Sequence, residues 1–292
     1  MRISVIQSRL AFAYDPKNPG SYDLEKCTEL CEKFLGREFE QIERVLKEGS
    51  NLVVTIEGFN ATVRPDDDRY HFPDIAEPLD GELMKRFLTL TRKYGAYIVA
   101  GLYTSQNGKA YNSAVLFGPE GIVGVHNKVH LPAGEENGIT PGDKYEVFET
   151  EFGNIGMLVC WDLQYPEAAR ELALKGADII ACPTWGCESI YVNCRAYENS
   201  VTLAVAMGVP LCDTCYPSCI IDNMGNTVAV ASRELSQTLS ADIDIKAEPA
   251  PQYGSEGVTG HTSMRHTRAV QRRPDTYKTI CEQNPPILNR YL

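Results

Sequence analysis

The chain has 292 residues, 43% of them hydrophobic and 23% charged, which is the balance of a globular protein with a large apolar core. Its 28 Lys and Arg stand against 39 Asp and Glu, a net charge of −11 that works against nucleic acid as a partner, since a phosphate backbone calls for clustered cations. No stretch approaches the roughly 20 apolar residues of a membrane helix.

Residues 1–7, Met1-Arg2-Ile3-Ser4-Val5-Ile6-Gln7, read as a first strand and form an apolar run too short for a secretion signal. Without such a signal, the ten cysteines are expected as free thiols in a reducing cytoplasm. Over residues 23–48 apolar side chains recur at steps of three and four, one face of a long helix that Gly49 closes. Residues 52–56 form a short buried strand running straight into Glu57. After the acidic loop Asp66-Asp67-Asp68, which would favour a cationic substrate if it faced the site, a second helix spans 81–93. Residues 96–102, 113–117 and 122–125 read as strands, separated by Gly and Asn turns. Residues 153–160 form a strand ending at Cys160, and Pro166 opens the helix that follows. A strand at 178–182, a helix at 192–200, a strand at 202–207 and a hairpin over 218–231 complete the pattern. From residue 246 the chain is rich in Pro, Gly and Arg and shows little period. Arg265, Arg268, Arg272 and Arg273 there suit either a surface arm or a contact with a second subunit. Strands alternate with helices but also follow one another directly, so the fold class is α/β with mixed sheets. The expected division is residues 1–245 as one domain and 246–292 as a C-terminal arm.

Most familiar catalytic motifs are absent: there is no G-x-S-x-G, H-E-x-x-H, phosphate-binding loop or G-x-G-x-x-G. Cys212 and Cys215 have C-x-x-C spacing, but a zinc site lacks a nearby fourth ligand, and Pro210 and Pro217 bracket the pair. His126 and His130 carry no pattern that marks a general base. A different pattern recurs: a buried apolar strand followed by one reactive side chain, Glu57, Lys128 or Cys160. Strand ends in an α/β sheet converge on the ligand site. A carboxylate, an amine and a thiol brought together there form a base, an oxyanion stabiliser and a nucleophile. Helix-end amides beyond Cys160 are expected to lower its pKa.

These residues resemble the nitrilase, or carbon–nitrogen hydrolase, superfamily over roughly residues 3–245. The resemblance rests on several separate segments in the family's order. They are Val54-Thr55-Ile56-Glu57; Asn127-Lys128-Val129-His130-Leu131 followed by Thr140-Pro141-Gly142-Asp143; and Gly156-Met157-Leu158-Val159-Cys160-Trp161-Asp162 continuing to Tyr165-Pro166-Glu167. Cys182-Pro183-Thr184-Trp185, Arg195-Ala196-Tyr197-Glu198-Asn199 and Ser218-Cys219-Ile220-Ile221-Asp222 also match. The resemblance implies a four-layer α-β-β-α sandwich that pairs into a homodimer, a Glu57–Lys128–Cys160 triad, and neither metal nor cofactor. A second glutamate stands six residues before the proline of the family's P-G-D turn, which selects Glu135 over Glu136. The backbone of Trp161 is expected to share the oxyanion with Lys128, and Trp185, Phe59 and Asn60 adjoin matching motifs and are expected in the substrate pocket.

The segment between Lys128 and Pro141 is shorter than in many members and holds Ala133 and Gly134, which implies a more open acyl pocket. Nitrilases tend to carry Trp-Glu after the nucleophile where this chain has Trp161-Asp162, so the resemblance favours a small amide or N-carbamoyl substrate over a nitrile. A non-catalytic binding member of the same fold is the remaining alternative.

Overall fold

The computed structural model describes residues 1–9, 23–61, 72–209, 215–233, 236–247, 263–283, 285 and 287. The Asp66-Asp67-Asp68 loop and Cys212 lie outside these residues. In chain order the first unit contains β1 (Arg2–Arg9), α1 (Leu24–Lys47), β2 (Leu52–Val54), α2 (Phe72–Ile75), β3 (Glu77–Pro78), α3 (Glu82–Tyr94), β4 (Tyr97–Gln106), β5 (Lys109–Gly118) and β6 (Gly121–Asn127). It continues with β7 (Val147–Thr150), β8 (Gly153–Met157), α4 (Pro166–Leu174), β9 (Ile179–Thr184), α5 (Ser189–Asn199), β10 (Thr202–Val209), β11 (Cys219–Ile221), β12 (Thr227–Val230) and β13 (Gln237–Asp242).

Alternation along β1 organises the layers. Ile3 and Val5 face one way and Ile6 the other, so each face of the strand enters a different core. β1 pairs in parallel with β2 and antiparallel with β13, while its last residues, Ser8 and Arg9, pair with Gly208 and Val209 of β10. The strand thereby belongs to a first sheet ordered β6-β5-β4-β2-β1 and touches a second ordered β10-β9-β8-β7. Ile3, Val5, Leu52, Val54, Val99 and Leu116 of the first sheet pack against Ile155, Met157, Ile179, Ala181, Ala204 and Ile220 of the second. The outer face of the first sheet is covered by Phe34, Ile42 and Val45 of α1 and Met84 and Phe87 of α3. Ala169 and Leu172 of α4 and Val192 and Ala196 of α5 cover the second. The layers run α-β-β-α, as the resemblance implied.

Local chemistry explains the helix limits. The Asp23 carboxylate accepts the Lys26 N–H at the start of α1, and Gly95, with φ +60°, ends α3 in the left-handed conformation that glycine tolerates. The strand expected over 52–56 stops at Val54, and that expected over 153–160 stops at Met157, with Cys160 opening a tight 3₁₀ turn over Cys160–Gln164. β7 and β13 lie in segments that carry little apolar period, so the sequence reading passed over them.

The chain divides into two compact units, Met1–Ala247 and Glu248–Leu292. In the second, Ser263 caps a seven-residue helix, α6 (Met264–Val270), by accepting the His266 N–H. A helix of two turns is too brief for its period to stand out in the irregular composition around it.

Candidate active site

Glu57 follows β2 and is 3% exposed. Its backbone is placed by Trp185, whose indole Nε1 donates to the Glu57 carbonyl at 2.7 Å. Gly101 on β4 lets the two sheets close at this point: a Cβ there would stand 2.5 Å from the Ile56 carbonyl and 2.5 Å from Pro183. Lys128 follows β6, and its main chain is held on both sides, its N–H by the Asn112 carbonyl and its carbonyl by the Gly142 N–H, each at 2.8 Å. That contact gives the Pro141-Gly142-Asp143 turn its reason, because a Cβ on Gly142 would lie 2.1 Å from the Asn127 carbonyl.

Lys128 Nζ donates to Glu57 Oε1 at 2.9 Å and to Glu135 Oε2 at 2.7 Å. Glu135 is buried in the short turn Glu135–Asn137, whereas Glu136 faces solvent and accepts the Gly134 N–H. Asn112, which the sequence reading did not select, joins the cluster: its Nδ2 donates to Glu57 Oε1 at 2.7 Å and to Glu135 Oε1 at 2.6 Å. The available signal was an Asn within a strand, where Asn is disfavoured unless something needs it. Burial works against the charge of Lys128, but the negative groups around it, led by Glu57, raise its pKa and keep the ammonium. Burial, with Glu57 alongside, pushes the Glu135 carboxyl up against the pull of Lys128.

Cys160 sits at φ +46°, a left-handed conformation that costs energy for a side chain with a Cβ and turns the thiol out of the line of its strand. Burial and the Glu57 carboxylate push its thiol up to about 12, while Lys128, the Thr184 hydroxyl and the Trp185 backbone pull the other way. The expected lowering by helix-end amides is therefore reversed. α4 begins only at Pro166, after the whole 3₁₀ turn, and desolvation dominates. A thiol in this state stays protonated at neutral pH and needs a base at the moment of attack.

Asp162, two residues on, is fully buried and ties the cysteine turn to the lysine segment. Its Oδ1 accepts from the Val129 and His130 amides at 3.2 and 2.9 Å and from His130 Nδ1 at 3.0 Å. Its Oδ2 accepts from His126 Nε2 at 2.9 Å and from the Val159 amide at 3.2 Å. The His130 ring in turn stacks on Tyr165 with centroids 3.7 Å apart. Burial alone would raise the Asp162 pKa, but the hydrogen bonds from His126 and His130 outweigh it and hold the carboxyl well below its usual range. A depressed folded pKa stabilises the fold at every pH above the unfolded value and loses that contribution as the group protonates. We expect Asp162→Asn to cost about 3 kcal/mol at neutral pH. Urea denaturation of wild type and variant across pH should show this gap narrowing only below about pH 4. A gap that is absent at neutral pH would refute this role of Asp162.

The other expected pocket residues separate. Trp161 is 39% exposed and Trp185 is half-buried beside Glu57, positions open to a ligand. Phe59 is not a pocket residue: its ring is fully buried against Phe34, Phe39 and Phe87, because the left-handed turn at Gly58 directs it into the helix-covered core. Asn60 is not free to bind substrate either. Its Nδ2 donates to the carbonyls of Ile75 and Tyr103 and its Oδ1 accepts the Tyr103 N–H, so backbone takes up its amide. Cys31, Cys160, Cys182, Cys187, Cys194, Cys219 and Cys281 are not in disulfides, but Cys215 is disulfide-bonded, which corrects the expectation of reduced thiols throughout. No helix among the described residues is long and apolar enough to cross a membrane.

An α-β-β-α sandwich with mixed sheets, carrying a buried Glu–Lys–Glu cluster beside a strained cysteine, places the protein with the nitrilase-type α/β enzymes. A carbon–nitrogen hydrolase from Helicobacter pylori G27 superposes with a TM-score of 0.76 over 97% of this chain and 98% of its own, at 26% identity. A nitrilase from Pyrococcus abyssi is 37% identical over 59% of this chain and 63% of its own length. Omega-amidase NIT2-A from Xenopus laevis is 30% identical over 86% of this chain and 93% of its own. The sequence profile of the carbon–nitrogen hydrolase family matches residues 17–250. The chain belongs to that family, and it is a hydrolase of amide-type C–N bonds.

Proposed function

We propose that the protein hydrolyses a small linear amide or N-carbamoyl compound through a thioester on Cys160. The observation that carries this reading is the unequal use of the Glu57 carboxylate. Oε1 is engaged by Lys128 and Asn112, while Oε2 is buried without a hydrogen-bond partner among the described residues. A buried carboxylate oxygen left open beside a protonated thiol is equipped to take its proton.

In this scheme Glu57 removes the Cys160 proton as Sγ attacks the carbonyl carbon. The oxyanion is stabilised by the Lys128 ammonium and the Trp161 N–H. Glu57 passes its proton to the departing nitrogen, the C–N bond breaks, and ammonia or an amine leaves an acyl thioester. A water gives its proton to Glu57 and its oxygen to the acyl carbon, and the thiol is restored as the acid departs. Glu135 holds Lys128 in place through both steps.

The amide reading draws support from Trp161-Asp162 in the nucleophile segment and from a likeness to an omega-amidase that spans most of both chains. The nitrile reading draws on the likeness to a Pyrococcus nitrilase, whose match is higher in identity but shorter. Ammonia release from a panel of linear amides, N-carbamoyl amines and nitriles separates the two, with Cys160→Ala as the blank. We expect turnover of an amide or carbamoyl compound at least about 100-fold above any nitrile, the factor expected where one acyl geometry is favoured over another by a few kcal/mol. Release confined to nitriles would establish the second reading.

A further inference from the structure

Asn112 is fully buried on β5, directly across from Tyr103 of β4, and contacts every charged member of the Glu57–Lys128–Glu135 cluster. Its carbonyl accepts the Lys128 N–H, and its Nδ2 donates to Oε1 of both Glu57 and Glu135. An amide nitrogen has two hydrogens, so each carboxylate takes one. Lys128 then adds its own bonds to Glu57 Oε1 and Glu135 Oε2. Both oxygens of Glu135 are occupied by this arrangement, and so is one oxygen of Glu57. The remaining one, Glu57 Oε2, stays open.

The acceptor half of the same amide has the opposite fate. Asn112 Oδ1 is buried and without a hydrogen-bond partner among the described residues, an unfavourable state for a polar atom. Asn60 differs, with donor and acceptor both satisfied by backbone. What Asn112 supplies is two uncharged donors on one atom, a combination that neither Asp nor an aliphatic side chain provides.

We infer that Asn112 is a positioning residue that gives the two glutamates different roles, occupying Oε1 of both so that Glu57 alone presents an open oxygen to Cys160. The inference rests on the reading of Glu57 as the base. Each carboxylate loses an uncharged donor when this amide is removed. The charged and titratable groups facing Glu57 are Lys128 after β6, Glu135 in its turn, Cys160 at the head of the nucleophile turn and Tyr103 on β4. None of these replaces the lost donor.

The test uses Asn112→Leu, which keeps the volume and removes the stranded carbonyl, and Asn112→Asp, which keeps the shape and removes the donors. We expect both to fold, with kcat lowered about 10- to 100-fold and KM within about threefold of wild type, the range for losing a hydrogen bond to a charged group. The acidic limb of kcat/KM should move in both variants, further for Asn112→Asp because it also adds a negative charge to the cluster. Combined with Glu57→Gln, Asn112→Leu should add no further loss. A wild-type pH profile and kcat in either folded variant overturns the inference. So does a loss of kcat that tracks a lower melting temperature with the acidic limb unmoved. Glu57→Gln alone keeps the two readings apart: if it retains wild-type turnover, the assignment of the base fails, and if it is inactive while both Asn112 variants behave as wild type, only this inference fails.

Discussion

Cys160→Ala should abolish turnover, by on the order of 10⁴-fold or more, while leaving the fold intact. The substitution deletes one sulfur from a partly exposed position and changes nothing in the Glu57–Lys128–Glu135–Asn112 cluster, whose bonds are made among its own members. Both residues carry a Cβ, so the left-handed backbone at this site is neither relieved nor made worse. Intact-mass measurement under substrate should find an acyl adduct on the wild-type chain and none on the variant. Residual turnover near the wild-type rate would remove the thioester from the mechanism.

The second large effect is that of Glu57→Gln, expected to lower kcat/KM by about 10²- to 10⁴-fold, the span of general-base catalysis by one positioned group. The Cys160 thiol gives this variant a second and opposite signature. Part of its elevation to about 12 comes from the Glu57 charge, so removing that charge shifts the thiol back down toward the ordinary range of a cysteine. Alkylation by iodoacetamide near pH 9 needs only a thiolate and should be no slower in the variant than in wild type, while amide hydrolysis collapses. A parallel fall in both would mean that Glu57 holds the cysteine in place rather than moving its proton.

On the proposed mechanism the two effects follow from one arrangement, a Cys160 thiol that is not ionised at rest. Many reactive cysteines are activated in advance by cations or helix ends. Here the cation lies between two carboxylates, and desolvation and Glu57 oppose the thiolate. On the proposed mechanism the reactive form then arises only as substrate accepts the sulfur.

The amphipathic period over residues 23–48 and 81–93 determined α1 and α3, since one apolar face per helix has to be buried somewhere. Apolar runs determined the central strands, and the residues that follow them placed Glu57, Lys128 and Cys160 where strand ends converge. The spacing back from Pro141 selected Glu135 over Glu136, and the structure buries the first and exposes the second. These features are local, carried by periods and short segments that a chain displays before it folds.

Tertiary structure decided what depends on distant residues meeting. Asn112 reaches Glu57 across 55 positions and Lys128 reaches it across 71, and no spacing rule joins such pairs. Phe59 and Asn60 adjoin Glu57 in sequence, yet a single left-handed glycine turns them into the core and onto the backbone. The Cys160 thiol was expected to be lowered by a nearby helix end and is raised instead, because desolvation of its sulfur and the Glu57 charge come from the packed layers and not from the segment. Asp162 reads as one more polar residue after a nucleophile until the sheet brings His126, Val129 and His130 around it. Sequence supplied the reactive groups, and the register of β4, β5 and β6 against β2 determined which oxygen of which glutamate stays free.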